Sequence, residues 1–296
     1  MRSGLHRLAD DAHLTASIRL HPKRCEIEQA LFSQSCALFQ LDRTVYLYDC
    51  TSTYFEGKCL KNPQAKRGYS RDQRSDAKQV VIGLTINRDG FPIAHEVWAG
   101  NRSDVTTLPD LFDALEKRQA LSPGATVVMD RGLASAENLA LVLRRKLHYL
   151  VAARGKERDR ILAEGHDQTE DWSVLSTRSS GEILVKRVAG SEETHLLVIS
   201  EGRKDKDRSI RLSQEKRFLQ DVEKLRSRVT QGRLKKTALI NQAIGRLRER
   251  YPRVGRYYQL SYQEESRVLC GQEQAAERVR AESLDGSTLL GTTEKT

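Results

Sequence analysis

Apolar and polar positions change their period several times along this chain, and each change predicts an element. Ile27, Ala30, Leu31, Ala37, Leu38 and Leu41 recur at near-helical spacing and predict one amphipathic helix ahead of the first strand. Thr44 to Tyr48 is a β-branched and aromatic run that predicts a strand, ended by Asp49 and a Thr/Ser-rich turn. From Lys58 to Lys78 the chain is hydrophilic and reads as a loop. Gln79 to Ile86 (QVVIGLTI) is strongly β-prone, and Asn87-Arg88-Asp89-Gly90 is a hairpin signal. Phe91 to Trp98 reads as the returning strand, with Pro92 near its start, where a missing N–H is tolerated. A helix is predicted from about Thr106 to Arg118, with Leu108, Leu111, Phe112 and Leu115 on one face. Ser122-Pro123-Gly124 turns into a second short strand ending at Asp130. A helix over about Ser135 to Arg145 and a strand over His148 to Ala152 follow. The order β-β-β-α-β-α-β predicts a mixed sheet flanked by helices.

The second half differs. Ile183 to Val188 and His195 to Ser200 are β-prone segments in a polar context and mark the start of a β-rich insert. Residues 203–256 form a basic helical block in which Phe218, Val222, Leu225 and Val229 share one apolar face. Gly232 interrupts the helix, Ala238 to Arg250 resumes it, and Pro252 ends it. A strand over Tyr257 to Tyr262, a short helix over Gln272 to Ala281, a turn at Asp285-Gly286 and a strand over Ser287 to Thr292 close the chain. The organisation expected is an N-terminal helical region 1–43, a core 44–154, an insertion domain 155–292 and a tail 293–296.

Charge changes the picture more than composition does. The chain of 296 residues is 38% hydrophobic, enough to bury a core, and carries a formal net charge of +10. The block 203–256 alone holds 18 Lys/Arg against 6 Asp/Glu, so its excess of +12 exceeds that of the whole chain. A basic helix is ordinarily a solvated face, but this concentration points to a polyanion such as nucleic acid. Lys235, Lys236, Arg246 and Arg248 are the residues singled out there. Five cysteines without CxxC spacing argue against a disulfide framework and fit a reducing cytosol. No apolar run approaches a membrane span, and Met1 to Arg7 leads into no apolar signal region. The expectation is a soluble cytoplasmic protein.

Two apolar strands each deliver an Asp at the C-terminal end, Asp49 and Asp130. An Asp there is ordinary turn chemistry taken singly. Two such carboxylates held close repel, and a hard cation such as Mg²⁺ relieves the repulsion while needing few protein ligands. Arg131 is placed for a phosphate contact or, equally, for a capping or salt-bridge role. Arg71 and Arg74 lie in the hydrophilic loop and are candidate phosphate contacts against the plainer reading of a solvated loop. Cys50 as a nucleophile has no His paired with it.

The segments YDCTSTYFEG, GYSRDQRSDAKQVVIGLTINRDGFPIAHEVWAGNRSD and VVMDRGLASAENL closely resemble DDE transposases of bacterial insertion sequences, in particular the IS-four-like group. The resemblance runs over roughly residues 20–292. It implies an RNase H-like mixed sheet, with Asp49 and Asp130 as neighbours, interrupted by a β-rich insert that contains the long basic helical segment. It also implies Mg²⁺ or Mn²⁺ as cofactor, the terminal inverted repeats and target DNA as partners, and action as a homodimer. Asp49 and Asp130 match the first two acidic ligands of the family. The third is a Glu on a helix after the insert, and no such context occurs here. Glu294 lies in no helical pattern. A piece lacking the catalytic helix, with little strand-transfer activity, is therefore expected. A non-catalytic DNA-binding remnant and an RNase H-like nuclease are the competing readings, the first marked by steep salt dependence with little sequence preference.

Overall fold

The computed structural model describes residues 19–165, 171–179, 181–189 and 193–294. The reading of Met1 to Arg7 lies outside the described residues. Two units divide the chain: Met1–Ala153 with Ala189–His195 and Leu290–Thr296, and Arg154–Val188 with Leu196–Leu289. Among the described residues no helix is long and apolar enough to cross a membrane.

The first unit is built on β1 (Val45–Tyr54), β2 (Gln79–Asn87), β3 (Pro92–Ala99), β4 (Thr126–Met129) and β5 (His148–Ala152). Their spatial order is β3-β2-β1-β4-β5, and the last residues of β11 (Ser287–Thr292) pair antiparallel with β5. The first three strands form an antiparallel meander, whereas β1, β4 and β5 run parallel. Parallel neighbours need crossovers, and α2 (Leu108–Lys117) and α3 (Ala136–Arg144) supply them. This is the mixed, helix-flanked sheet expected from the sequence, with β1 and β4 side by side as the resemblance implies.

Alternation along the strands separates two faces. Tyr46, Tyr48, Val127, Met129, Tyr149 and Val151 point into one core with Leu108, Leu111, Phe112 and Leu115 of α2, Val142 of α3 and Phe32 of α1 (Arg24–Phe39). On the other face Leu47, Ile82, Ile86, Val97, Val128 and Leu150 stay partly exposed, and Leu84 is 44% exposed. Strand register places these together: Leu47 is opposite Ile86, Ile82 opposite Val97, and Val128 opposite Leu150.

The first strand is longer than its sequence suggests. It was expected to end at Tyr48 with a turn after Asp49, but β1 continues to Tyr54. Thr51, Ser52 and Thr53 sit opposite Ile82, Val81 and Val80 of β2. Hydroxylated residues favour turns only while the backbone has no better partner; here a full antiparallel ladder supplies one.

α1 is held largely by charge. The Arg118 side chain, only 3% exposed, binds Glu28 at 2.6 Å and Glu96 of β3 at 2.8 Å, and Arg24 reaches Glu96 at 2.9 Å. The loop between β1 and β2 is also fixed to the sheet. Lys66 bridges to Gln79, whose amide donates to the carbonyls of Tyr69 and Gly100. Backbones pass so closely there that a Cβ on Gly100 would lie 1.9 Å from the Gln79 carbonyl oxygen, so only glycine fits.

The second unit contains α4 (Gly155–Ala163), β6 (Ser173–Arg178), α5 (Glu201–Thr230), α6 (Thr237–Arg250), β9 (Tyr258–Gln263), β10 (Val268–Glu273) and α7 (Ala275–Ser283), with most of β7 (Gly181–Ala189) and β8 (Thr194–Ser200). The region read only as the start of a β-rich insert thus opens with a helix. α4 is rich in charge and buries little beyond Ile161, which leaves almost no apolar period to detect. β6 and β10 were not expected either. The apolar face of α5 is real: Phe218, Val222, Leu225 and Val229 pack with Ile240, Ile244 and Leu247 of α6 and with Val254, Tyr257, Leu260 and Leu269. Most basic residues of the block lie on the exposed sides of the two helices, Arg211 is buried, and Arg233, Lys235, Lys236, Arg253 and Arg256 lie in the segments that follow them.

Candidate metal centre and nucleic-acid interface

β1 and β4 are parallel neighbours in which Tyr48 is the register partner of Met129. Asp49 and Asp130 each follow by one residue, so the two carboxylates project from adjacent strands on one face. Both residues are exposed. Asp49 lies within β1, opposite Leu84 of β2. Asp130 leaves β4 in extended conformation and caps the 3₁₀ turn Arg131–Leu133. One oxygen of each is already used: Asp49 Oδ1 accepts from the Cys50 N–H at 2.8 Å, and Asp130 Oδ1 from the Arg131 N–H at 2.7 Å. The second oxygen of each has no hydrogen-bond partner among the described residues.

That donor set suits a hard divalent cation completed by water, since each carboxylate offers one free oxygen. Among the described residues no third His, Cys, Asp or Glu joins them in a metal-holding group. Glu294 stands elsewhere. It accepts from Thr126 Oγ1 at 2.9 Å, at the start of β4, and Asp130 follows the end of that strand. Four residues of strand separate the two positions by about 13 Å.

The carboxylate pair rests on a buried hydrogen-bonded layer that sequence reasoning missed. Tyr48 Oη is 2.7 Å from Thr107 Oγ1 and 3.1 Å from Cys50 Sγ, and Thr107 Oγ1 donates to the Asp104 carbonyl. Asn138, buried at the start of α3, donates to the carbonyls of Val105 and Leu133, tying the loop after Asp130 to the loop after β3. The only sequence signal for this pair was position within the motifs, because their partners are distant along the chain. Burial pushes the Tyr48 phenol and the Cys50 thiol above their ordinary pKa. A raised thiol pKa leaves almost no thiolate, so Cys50 is a poor nucleophile. We expect Cys50 to resist a thiol reagent in the native protein and react only on unfolding, while exposed Cys25 reacts at once; peptide mapping of the labelled sites checks this.

The basic candidates fall into three situations. Arg71 donates to the Cys50 carbonyl and pairs with Asp104 at 2.9 Å, on the wall of a cavity of about 370 Å³ that also includes Thr51, Asn101, Arg102 and Gly132. Arg74 chelates Asp76, reaches Glu56 and lies 4.8 Å over the Tyr54 ring; its hydrogen bonds to Asp76 and then Glu56 raise its pKa. Both arginines have carboxylate partners already. Arg131 is exposed next to Asp130. Lys235 and Lys236 in the α5–α6 connection, and Arg246 and Arg248 on α6, are exposed in the second unit.

The family model described as Transposase DDE domain matches residues 40–228, more than half of the chain, and the matched stretch includes both Asp49 and Asp130. This is narrower than the span 20–292 of the resemblance. A piggyBac transposase synaptic complex with hairpin DNA is 14% identical, with a TM-score of 0.32, over 52% of this chain and 30% of that one. A Mos1 transposase paired-end complex with the left transposon end is 15% identical, with a TM-score of 0.26, over 48% of this chain and 46% of that one. The chain therefore spans less than half the length of either solved structure. No curated protein matches. With Asp49 of β1 and Asp130 after β4 both inside the matched stretch, the chain belongs to the DDE transposase domain family.

Proposed function

We propose that this chain acts on DNA as part of a transposase, with Asp49 and Asp130 as the carboxylates that hold a divalent cation. The observation that carries the reading is their register: adjacent parallel strands present both acids on one exposed face, each with a free oxygen. A Mg²⁺ or Mn²⁺ ion there would neutralise phosphoryl oxygen charge and activate the attacking water or 3′-hydroxyl. The protein's own part is to fix the two acids, one through the β1 ladder and one through the capped turn that Asn138 braces. Arg131 follows Asp130 in the chain and Arg71 donates to the carbonyl of Cys50, next to Asp49, so both can meet a phosphate held at the pair. The second unit supplies Lys235, Lys236, Arg246 and Arg248 for sequence-independent contacts with the backbone. The DNA partners are the terminal repeats of an element and its target, engaged by a homodimer in the cytoplasm.

With two acidic ligands the site binds one ion weakly, and strand transfer by this chain alone is expected to stay at background. The test is an end-joining assay with repeat-end DNA in Mg²⁺, beside a binding assay in chelator. The expected result is DNA binding without joining. Robust joining that vanishes in Asp49→Asn would mean that a third ligand is supplied, overturning the two-ligand reading. Absence of DNA binding would overturn the reading as a whole. Binding that is steeply salt-dependent and indifferent to sequence favours the second reading, a non-catalytic DNA-binding remnant, which the +12 excess of residues 203–256 supports.

A further inference from the structure

The segment that follows α6 holds two arginines in an arrangement that is unfavourable without a counter-charge. Residues Val254–Tyr257 form a 3₁₀ turn, with Arg253 at its N-cap. Residues three apart eclipse one another in that geometry. Val254 and Tyr257, 0% and 3% exposed, face the core of the second unit, and Arg253 and Arg256 are both exposed on the turn they anchor. Like charges at this spacing repel.

Two cavities lie beside them. The first, about 360 Å³, has Arg158 of α4, Arg203 and Arg211 of α5, and Arg253 and Arg256 in its wall. That volume falls within the roughly 300–1,000 Å³ of pockets that seat small ligands. The second cavity shares Arg256 and adds Arg248. Two acids face the first cavity, and both are already engaged. Asp207 accepts from Arg203 Nε at 2.9 Å and from the Gly286 N–H at 3.2 Å. Asp285 accepts from Arg211 at 2.5 Å, and Glu282, outside the wall, takes the other arm of Arg211 at 2.6 Å. Arg158 is bound to Asp159 and to the Ser287 carbonyl. Arg248, Arg253 and Arg256 have no carboxylate partner among the described residues. Neither Arg253 nor Arg256 belongs to the set first singled out in the basic block.

We propose that Arg253 and Arg256 bind the phosphate of a nucleotide whose sugar and base enter the first cavity, with Arg248 taking the neighbouring phosphate. The guanidinium fork suits phosphate oxygens. This rests on the DNA-acting reading for its partner but not on the metal pair. The nucleotide belongs either to a DNA strand or to a free mononucleotide, and two measurements separate these sources. In the first, DNA binding is followed against salt in chelator for the wild type and for Arg253→Ala/Arg256→Ala. A lost phosphate contact lowers the log–log slope by about 0.9, and the two arginines share one phosphate, so the double variant should lose about 0.9. Arg253→Lys/Arg256→Lys should restore most of it. In the second, a deoxynucleoside monophosphate is titrated while the unfolding midpoint is read. A lower slope without a mononucleotide response assigns the site to a DNA strand. A midpoint that rises in the wild type but not in the Ala variant, at unchanged slope, assigns it to a free nucleotide. An unchanged slope with no midpoint response overturns the proposal. Both side chains are exposed, so the variants keep the fold. The slope is read in chelator, so it does not depend on the metal pair, and failure of the metal reading stays distinct from failure here.

Discussion

A protein carrying both Asp49→Asn and Asp130→Asn should unfold at a slightly higher temperature than the wild type in metal-free buffer, and Mg²⁺ should no longer raise that temperature. The carboxylates follow register partners on strands about 4.8 Å apart, so in the absence of metal they repel. Both are exposed, which keeps the repulsion in the range of surface ion pairs, about 0.2–1 kcal/mol. A bound ion acts in the opposite direction. At a concentration a hundred times its dissociation constant it stabilises the native state by about 2.7 kcal/mol. The wild type should therefore gain several degrees in saturating Mg²⁺, and the double variant none. Glu294→Gln should keep the full response, because Glu294 sits at the other end of β4. A calorimetric scan with and without Mg²⁺ decides it. An equal gain in wild type and double variant would remove the metal from this site.

Arg118→Ala should cost the first unit about 3–5 kcal/mol, the loss expected when one partner of a buried charge cluster is removed. Glu28 and Glu96, both largely shielded from water, would then face each other with Arg24, on Glu96, as the remaining arginine of the cluster. Burial alone would lower the Arg118 pKa, and its hydrogen bonds and charge contacts with the two glutamates outweigh this and raise it. Replacing all three together, Arg118→Met with Glu28→Gln and Glu96→Gln, should recover much of the loss, because the arginine that then lacks its carboxylate, Arg24, is 28% exposed and reaches water. Trp98 packs in the same core and donates to Asp110 at 3.0 Å, so its fluorescence in a Trp172→Phe background follows this unit through urea. A loss below about 1 kcal/mol, the value of a surface pair, would show that the cluster is solvated.

What the sequence revealed and what it concealed follow from the range of the forces involved. The Asp-Gly hairpin, the 3.6-residue stripe of α2 and the apolar face of α5 are local signals, and each element is where its pattern placed it. The run at 51–53 failed because its strand character depends on β2, some thirty residues away. β6 was missed because Val174 and Leu175 are themselves exposed, leaving no clear inside and outside. At the site, the two acids were legible because each ends a short apolar run. The Tyr48–Thr107–Cys50 layer and the Arg118 cluster were not, since they join residues up to 90 positions apart whose meeting only the packed fold determines.

The partly open apolar face of the first unit sets a limit on how the protein can be handled. Leu84 and its neighbours make a surface on which two copies can meet, and patches of this kind drive self-association. A net charge of +10 holds copies apart at low ionic strength. Salt strips nucleic acid from a basic protein, but the same salt shortens the reach of that repulsion to about 3 Å at 1 M while leaving apolar attraction in place. Freedom from DNA and colloidal stability therefore pull in opposite directions. A neutral, weakly binding cosolute, or digestion of the DNA at low salt, separates the two where salt alone cannot.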